Sequence, residues 1–279
     1  VGSLGDFMLD ATGTRVAFAH SAESLLTGYS SPSPVPVSST FVRDLTTGGL
    51  ELLSRDAGAP LVGADRPDEP SFISADGTVV LRGGRAGNLD SGPVGPLGAL
   101  YASFGGLPGV PLLTAGGSIG ATADAPTDLF QADGLFGDAV PRRTMSADGR
   151  YVIVDTEASN LIPGAAPYSF GAAYLVDRAT GSVRLVNHRG HGLPPTATLQ
   201  PLNVAAAGST VAFAASGFDD LVPGLTDNGS RITVFAMDTA TGAVEALSSS
   251  ALSPGAVSNG NSFDPAVSER IEAVMRRVS

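Results

Sequence analysis

No cysteine occurs among the 279 residues. Its absence removes disulfides, thiolate zinc sites, a cysteine nucleophile and c-type haem attachment together. It leaves the redox compartment open, because a chain without thiols persists in oxidising and reducing places alike. Lysine is absent too. The 16 basic residues are all arginine, against 27 Asp and Glu, for a net charge of −11. So acidic a chain offers no basic patch for neutralising phosphates, and no nucleic-acid partner is expected. No run of about 18 apolar residues appears, so no helical membrane span is expected. The chain opens on Val1, and "VGSLGDFMLD" is no signal peptide. A processed product or a piece of something longer is the expectation.

What is abundant is turn chemistry. Glycine (36) and proline (20) sit between short apolar runs in a chain that is 43% hydrophobic. They read as punctuation of a folded domain rather than as disorder.

The punctuation repeats. A turn glycine recurs as Gly13 in "DATGTRVAF", Gly77 in "SADGTVVLR", Gly149 in "SADGRYVIV" and Gly208 in "AAAGSTVAF". These stand roughly 60 to 70 residues apart, longer than most solenoid periods but regular. Four residues before each lies an apolar residue: Leu9, Ile73, Met145 and Val204. After each comes a β-rich alternating run, the pattern of a half-buried strand. A third strand follows around Phe41, Tyr101, Tyr174 and Phe235, and a fourth near Leu53, Leu113, Val186 and Leu247. Four strands per unit, joined as a meander and repeated, spell an all-β fold, a β-propeller of four-stranded antiparallel blades. The expected blades are 7–54, 70–115, 141–187 and 201–248, within a single domain over 1–279.

The third and fourth strands are joined by one phrase written three times: Asp44, Asp177 and Asp238 each begin Asp-x-x-Thr-Gly, ending at Gly48, Gly181 and Gly242. Aspartate caps such a turn with its side chain, and glycine takes the positive φ that follows. The second unit departs, with glycines and Pro108 in "LYASFGGLPGVPLL". Connections alternate between the two ends of an up-and-down sheet. The two tight turns therefore share one end and the long loops the other. Binding residues concentrate on long loops held by a rigid scaffold, so the long-loop face is the expected functional one. Among the links between blades only "AGGSIGATADAPTDLFQADGLFGDAVP" is unusually long.

The phrases "SADGRYVIVDTEASNLIPG", "YLVDRATGSVRLV" and "SNGNSFDPAVS" resemble the TolB-like, WD40-like propeller repeats of exported bacterial proteins. A blade of that family carries a Ser-x-Asp-Gly turn, an aliphatic strand, an Asn-Leu-Val-Pro-Gly loop and an Asp-x-x-Thr-Gly hairpin. The third unit matches best, through Ser146, Asp148, Gly149, Asn160, Leu161 and Pro163 and the hairpin at Asp177. The fourth keeps Leu221, Val222, Pro223, Gly224 and Asp238, but has Ala207-Gly208 where Asp-Gly is expected. The first is looser, and the second matches through Ser74-Ala75-Asp76-Gly77 and Asn88-Leu89. The resemblance implies a propeller and an extracytoplasmic place, whether periplasm, cell surface or secreted. It is poor for activity, because fold alone does not fix function.

The ends do not close neatly. A fifth first strand begins at "DPAVS" and breaks off at "ERIEAVMRRVS". In 264–279, Val267, Ile271, Val274, Met275 and Val278 share a helical stripe, which favours a short terminal helix over a leftover strand. The expected array is four blades, as an open arc, a strained four-blade ring or a fragment of a larger ring; an open end favours missing blades or a partner chain.

Candidate chemistry is sparse. "GGSIG" fits Gly-x-Ser-x-Gly around Ser118 but is followed by no clear helix, so a glycine-rich loop is the favoured reading. His188 and His191 lack further ligands nearby, and His20 could join them only through the fold. Asp219, Asp220, Asp227 and Asn228 gather hard oxygens in one loop, the donors calcium takes, though not at EF-hand spacing. A solvated turn explains them as well. Asn228-Gly229-Ser230 is also a glycosylation sequon. No catalytic residue is assigned, and calcium is the one cofactor candidate. The expectation is a non-catalytic interaction scaffold binding protein or glycan through its long-loop face. The alternative is an accessory propeller of a peptidase or polysaccharide-degrading enzyme whose catalytic domain lies outside this chain.

Overall fold

The computed structural model describes residues 4–21, 23–56, 58–84, 86–89, 99–104, 107–111, 127–129, 145–156, 161, 172–186, 199–204, 208–216, 221–225, 232–249, 256, 260, 262–267 and 273–276. The chain divides into two compact units, Val1–Asp128 and Leu129–Ser279. Among the described residues every regular element is a β-strand, apart from one 3₁₀ turn at Glu23–Leu25.

The first sheet is β1 (Leu4–Leu9), β2 (Arg15–His20), β3 (Ser39–Asp44) and β4 (Leu50–Leu52), paired in that order. A small hairpin follows, β5 (Arg55–Asp56) with β6 (Ala59–Gly63). The second sheet is β7 (Asp68–Ile73), β8 (Val79–Gly84), β9 (Ala99–Phe104) and β10 (Leu107–Pro111). The third is β11 (Thr127–Leu129), β12 (Tyr151–Thr156), β13 (Ala172–Asp177) and β14 (Ser182–Leu185). The fourth is β15 (Leu199–Val204), β16 (Thr210–Ser216), β17 (Ile232–Asp238) and β18 (Val244–Ala246). All four are antiparallel meanders, as the repeat predicts. In the third sheet the first position belongs to Thr127–Leu129, and Met145 makes only an isolated bridge to Val152.

The described residues of the C-terminal segment are not helical. Its described parts form a two-stranded sheet, β19 (Phe263–Val267) with β20 (Ala273–Arg276). β-branched Val267 and Val274 suit strand pairing. Pro265 falls where the register shifts between Phe263 and Ala266, a place that tolerates its missing N–H. β19 runs against β15, β16 and β17 of the fourth sheet, so tertiary pairing overrides the helical periodicity.

The turn chemistry is uniform. Gly13, Gly77, Gly149 and Gly208 take φ of 68°, 70°, 68° and 69°, and Gly48, Gly181 and Gly242 take 75°, 72° and 76°. In the hairpins the glycine N–H donates to the aspartate carbonyl at 2.8 Å in all three. The aspartate carboxylates accept further backbone N–H groups: Asp44 from Thr46 and Thr47, Asp177 from Ala179, Asp238 from Thr241. The two tight turns also touch. The N–H after each hairpin aspartate donates to the carbonyl after the turn glycine, Leu45 to Thr14, Arg178 to Arg150 and Thr239 to Ser209. Both turns therefore do share one end of the sheet.

Each sheet has two faces, and within each unit they meet in one sense. The leading face of the first sheet carries Ala17, Val42 and Leu53, and packs on Ile73 and Val80, the trailing face of the second. The leading face of the third carries Ile153, Leu175 and Val186, and packs on Val211, Phe213, Phe235 and Met237, the trailing face of the fourth. Fully burying a Val, Leu, Ile, Phe or Met side chain contributes about 1.5–3 kcal/mol.

The contact continues over the turns. The residue two beyond a turn glycine lies across the turn glycine of the next sheet. Arg15 lies over Gly77, where its Cδ is 2.9 Å from the place a Cβ would take, and its guanidinium donates to the Gly77 carbonyl at 2.9 Å. Tyr151 lies over Gly208, with ring atoms as near as 2.0 Å to that place.

Two expectations follow. Gly13→Ala, with nothing within 4 Å of its added methyl, costs only the left-handed backbone penalty, about 1–2 kcal/mol. Gly208→Ala has the same backbone and must also displace Tyr151, adding about 1–3 kcal/mol; urea unfolding of the two variants measures the difference. The second concerns Asp177. Two hydrogen bonds from Arg150, both 2.8 Å, hold its carboxyl at about 2. A carboxyl depressed in the folded state stabilises fully above its ordinary value. That stability is lost as pH falls from about 4 toward 2. Acid titration of unfolding should show a shallower loss in that window for Asp177→Asn than for the wild type.

Candidate functional site

In unit 1 the long loop between β2 and β3 is built as the loop between β16 and β17 is in unit 2. Gly28 (φ 82°) and Gly224 (φ 80°) bend it, and Tyr29 N–H to Leu26 carbonyl matches Leu225 N–H to Val222 carbonyl. Leu221 and Leu225 plug the core beside the stacked rings of Phe213 and Phe235, 5.5 Å apart. Tyr29, with Leu25 and Leu26, does the same beside Phe18 and Phe41, 5.9 Å apart. "LLTG" at 25–28 is thus the counterpart of "LVPG" at 221–224, hidden in the sequence because Thr27 stands where proline does.

The β5–β6 hairpin then locks onto this loop. Ser30 N–H donates to Leu61 carbonyl at 3.0 Å, and Gly63 N–H returns a bond to Ser30 carbonyl at 2.9 Å. The Tyr29 hydroxyl bonds Ser39 Oγ at 3.0 Å, and Ala64 N–H donates to the same oxygen. Burial pushes the Tyr29 phenol up, so it stays a neutral hydrogen-bonding group. Gly63 has no room for a side chain there, since a Cβ would stand 2.6 Å from Ser39 Oγ and 2.7 Å from the Tyr29 ring. From the second sheet Asn88 clamps the hairpin, donating Nδ2 to Gly63 carbonyl at 2.8 Å and accepting from Asp65 N–H at 2.9 Å. Leu89 is buried beside it with Ala64 and Ala86. The Asn-Leu pair is a structural clamp at this loop.

The locked loops hold apolar residues outward, beside exposed Glu23, Thr27 and Arg66. Val35 is 62% and Leu61 43% exposed, and Pro32, Pro34, Pro36 and Pro60 are exposed around them. Beneath the platform lies a buried ion pair. Arg82 donates to Asp68 at 2.8 Å with both side chains fully buried, and the Thr40 hydroxyl donates to the same carboxylate. Burial pushes the Asp68 carboxyl up, while Arg82, Thr40 and Ser54 pull against it. This network ties the two sheets of unit 1 together below the loops.

The opposite, tight-turn end of unit 1 holds a groove of about 270 Å³ between its two sheets. Val42, Leu53 and Val80 line its floor, and Arg15, Asp44 and Glu51 its rim. The rim charges are already engaged. Thr46 and Thr47 hold the Asp44 carboxyl at about 2, and Arg15 spans 3.9 Å to Asp44 while bonding Gly77. Such a half-exposed ion pair is worth little by itself.

His20 ends β2, opposite Ser39. Ser118, His188, His191, Asp219, Asp220, Asp227 and Asn228 lie outside the described residues. The platform residues Tyr29, Gly63 and Asn88 were not singled out as a site by sequence. Their partners are mostly backbone groups far along the chain, which no residue pattern records.

Among the described residues no helix is long and apolar enough to cross a membrane. No family model matches the chain, and no characterised protein matches it by sequence. Solved structures do. TolB from Acinetobacter baumannii is similar at 16% identity and a TM-score of 0.37, over 88% of this chain and 43% of that one. Porphyromonas gingivalis dipeptidyl peptidase 4 is similar at 10% identity and 0.49, over 88% and 32%. The tricorn protease is similar at 11% and 0.44, over 99% and 24%. The chain spans less than half the length of each, and the likenesses are too loose to bear on what it does.

Proposed function

We propose that the chain is a non-catalytic β-propeller scaffold acting outside the cytoplasm, which binds a protein or glycan through its long-loop face. The observation that carries this reading is the platform of unit 1. Three separate stretches, 25–30, 59–65 and 86–89, are bound into one body by Tyr29, Ser39, Gly63 and Asn88; that body holds Leu61 toward solvent, and Val35 is exposed on the loop that continues from it. Rigid apolar residues with satisfied backbone groups around them lose little entropy on binding, which is what a recognition surface needs. The turn aspartates support the same reading, because their carboxylates are occupied by backbone N–H groups and by Arg150.

The test compares Val35→Asp and Leu61→Asp with Leu45→Asp, a residue 52% exposed in the first-sheet hairpin at the tight-turn end. Each variant of the full chain is applied to a glycan array and to the immobilised extracellular proteins of the producing organism. Binding should fall at least about tenfold for the two loop-face variants and stay unchanged for Leu45→Asp. Equal binding by all three would count against the loop face as the recognition surface.

A further inference from the structure

The trailing face of the first sheet is built like the faces that are covered elsewhere, yet no sheet of unit 1 covers it: Phe41 and Leu52 are buried with the loop residues Tyr29, Leu25 and Leu26, while the side of the face at β1 stays exposed. Its cross-strand rows are Phe7–Phe18–Phe41–Leu52 and Leu9–Val16–Arg43–Leu50. The matching rows of the fourth sheet are Leu202–Phe213–Phe235–Ala246 and Val204–Val211–Met237–Val244. In the fourth sheet Val211 and Phe213 are fully buried, against the leading face of the third. In the second sheet Ile73, which matches Leu9, is 8% exposed against the leading face of the first. In the first sheet Leu9 is 52% and Phe7 63% exposed.

The turns supply a second, independent sign. Gly77 is covered by Arg15, Gly208 by Tyr151 and Gly242 by Arg184, in each case by a side chain of the sheet before. Gly13 and Gly48, the two turn glycines of the first sheet, have nothing within 4 Å of a Cβ; Gly181 of the third sheet, whose preceding sheet belongs to the other unit, is likewise clear. Face and turns are thus open together, on the same sheet.

We infer that this face is the seat of one further four-stranded sheet of the same repeat, joined ahead of the first sheet on the same polypeptide. Its chemistry is set by the two seats that are filled. The occupant presents small and branched apolar side chains at the positions of Ala17 or Ile153, and a long side chain two residues beyond its turn glycine, as Arg15 and Tyr151 are placed. In both filled seats the covering sheet immediately precedes the covered one in sequence, which is why the occupant is placed upstream. A second copy of the chain is disfavoured. Of the leading faces a second copy could offer, those of the first and third sheets are already occupied by their own neighbours. Two copies would also bring together net charges of −11 each. The inference deepens the propeller reading and is independent of loop-face binding, which can fail without affecting it.

The absence of native cysteine makes the test clean. Single-cysteine variants Leu9→Cys and Ile73→Cys are labelled with a maleimide, first in the 279-residue chain. The same is then done in a chain carrying a copy of residues 127–198 directly before Leu4. That junction reproduces the link between the third and fourth sheets, because Leu4 takes the place of Leu199. In the 279-residue chain Leu9→Cys should label at least about tenfold faster than Ile73→Cys, with sedimentation showing a monomer. In the extended chain its rate should fall to that of Ile73→Cys. Labelling of Leu9→Cys that stays as fast in the extended chain overturns the inference. So does a concentration-dependent dimer of the 279-residue chain in which Leu9→Cys becomes protected, which would make the occupant a second copy.

Discussion

The structure depends on a close approach of one sheet to the turn of the next. Tyr151 can lie across Gly208, and Arg15 across Gly77, only because those positions lack a side chain and take a left-handed backbone. The glycine therefore serves two neighbours at once. It closes the turn within its own sheet, and it lets the preceding sheet come near enough for leading and trailing faces to interlock. Remove that permission and the apolar rows behind it, Ile153 with Val211 or Ala17 with Val80, lose their spacing as well.

The aspartates extend the same constraint. Each hairpin carboxylate gathers backbone N–H groups that would otherwise be left unpaired in a tight turn, and Asp177 adds a paired guanidinium. These are the most recurrent acidic residues of the chain, and their oxygens are used in shaping backbone. A count of carboxylates would misread them as chemistry. The platform of unit 1 follows from the same economy of parts. Tight turns fix one end of the sheets, and the long loops at the other end are free to differ. They are then locked by side chains such as Tyr29 and Asn88 that belong to no repeat position.

Much of the fold was readable because its signals are local. Asp-x-x-Thr-Gly and the glycine before each second strand act within five residues, and all seven glycines take the expected φ. The misreadings have physical causes. In 264–279 the spacing of Val267, Ile271 and Val274 satisfies a helix, while the strand pairing that wins depends on contacts with β15, β16 and β17. The β5–β6 hairpin was missed because one of its strands is two residues long. The candidate site was less legible still. Asn88 was noticed as part of a motif, but its clamp on Gly63 and Asp65 reaches backbone groups 25 and 23 residues away. The exposure of Leu9 against the burial of Ile73 is invisible in a repeat that writes both as aliphatic.

Tandem small sheets interlock face to face across their turn glycines. The most direct measurement is the proton NMR shift of the Gly208 Hα pair, with the nuclear Overhauser contacts it makes. With Tyr151 across the turn, strong ring-current shifts and cross-peaks to the ring's Cδ and Cε protons are expected. Those shifts should vanish in Tyr151→Leu. Gly208 Hα resonances at ordinary glycine positions, with no contact to Tyr151 in the folded chain, would contradict it.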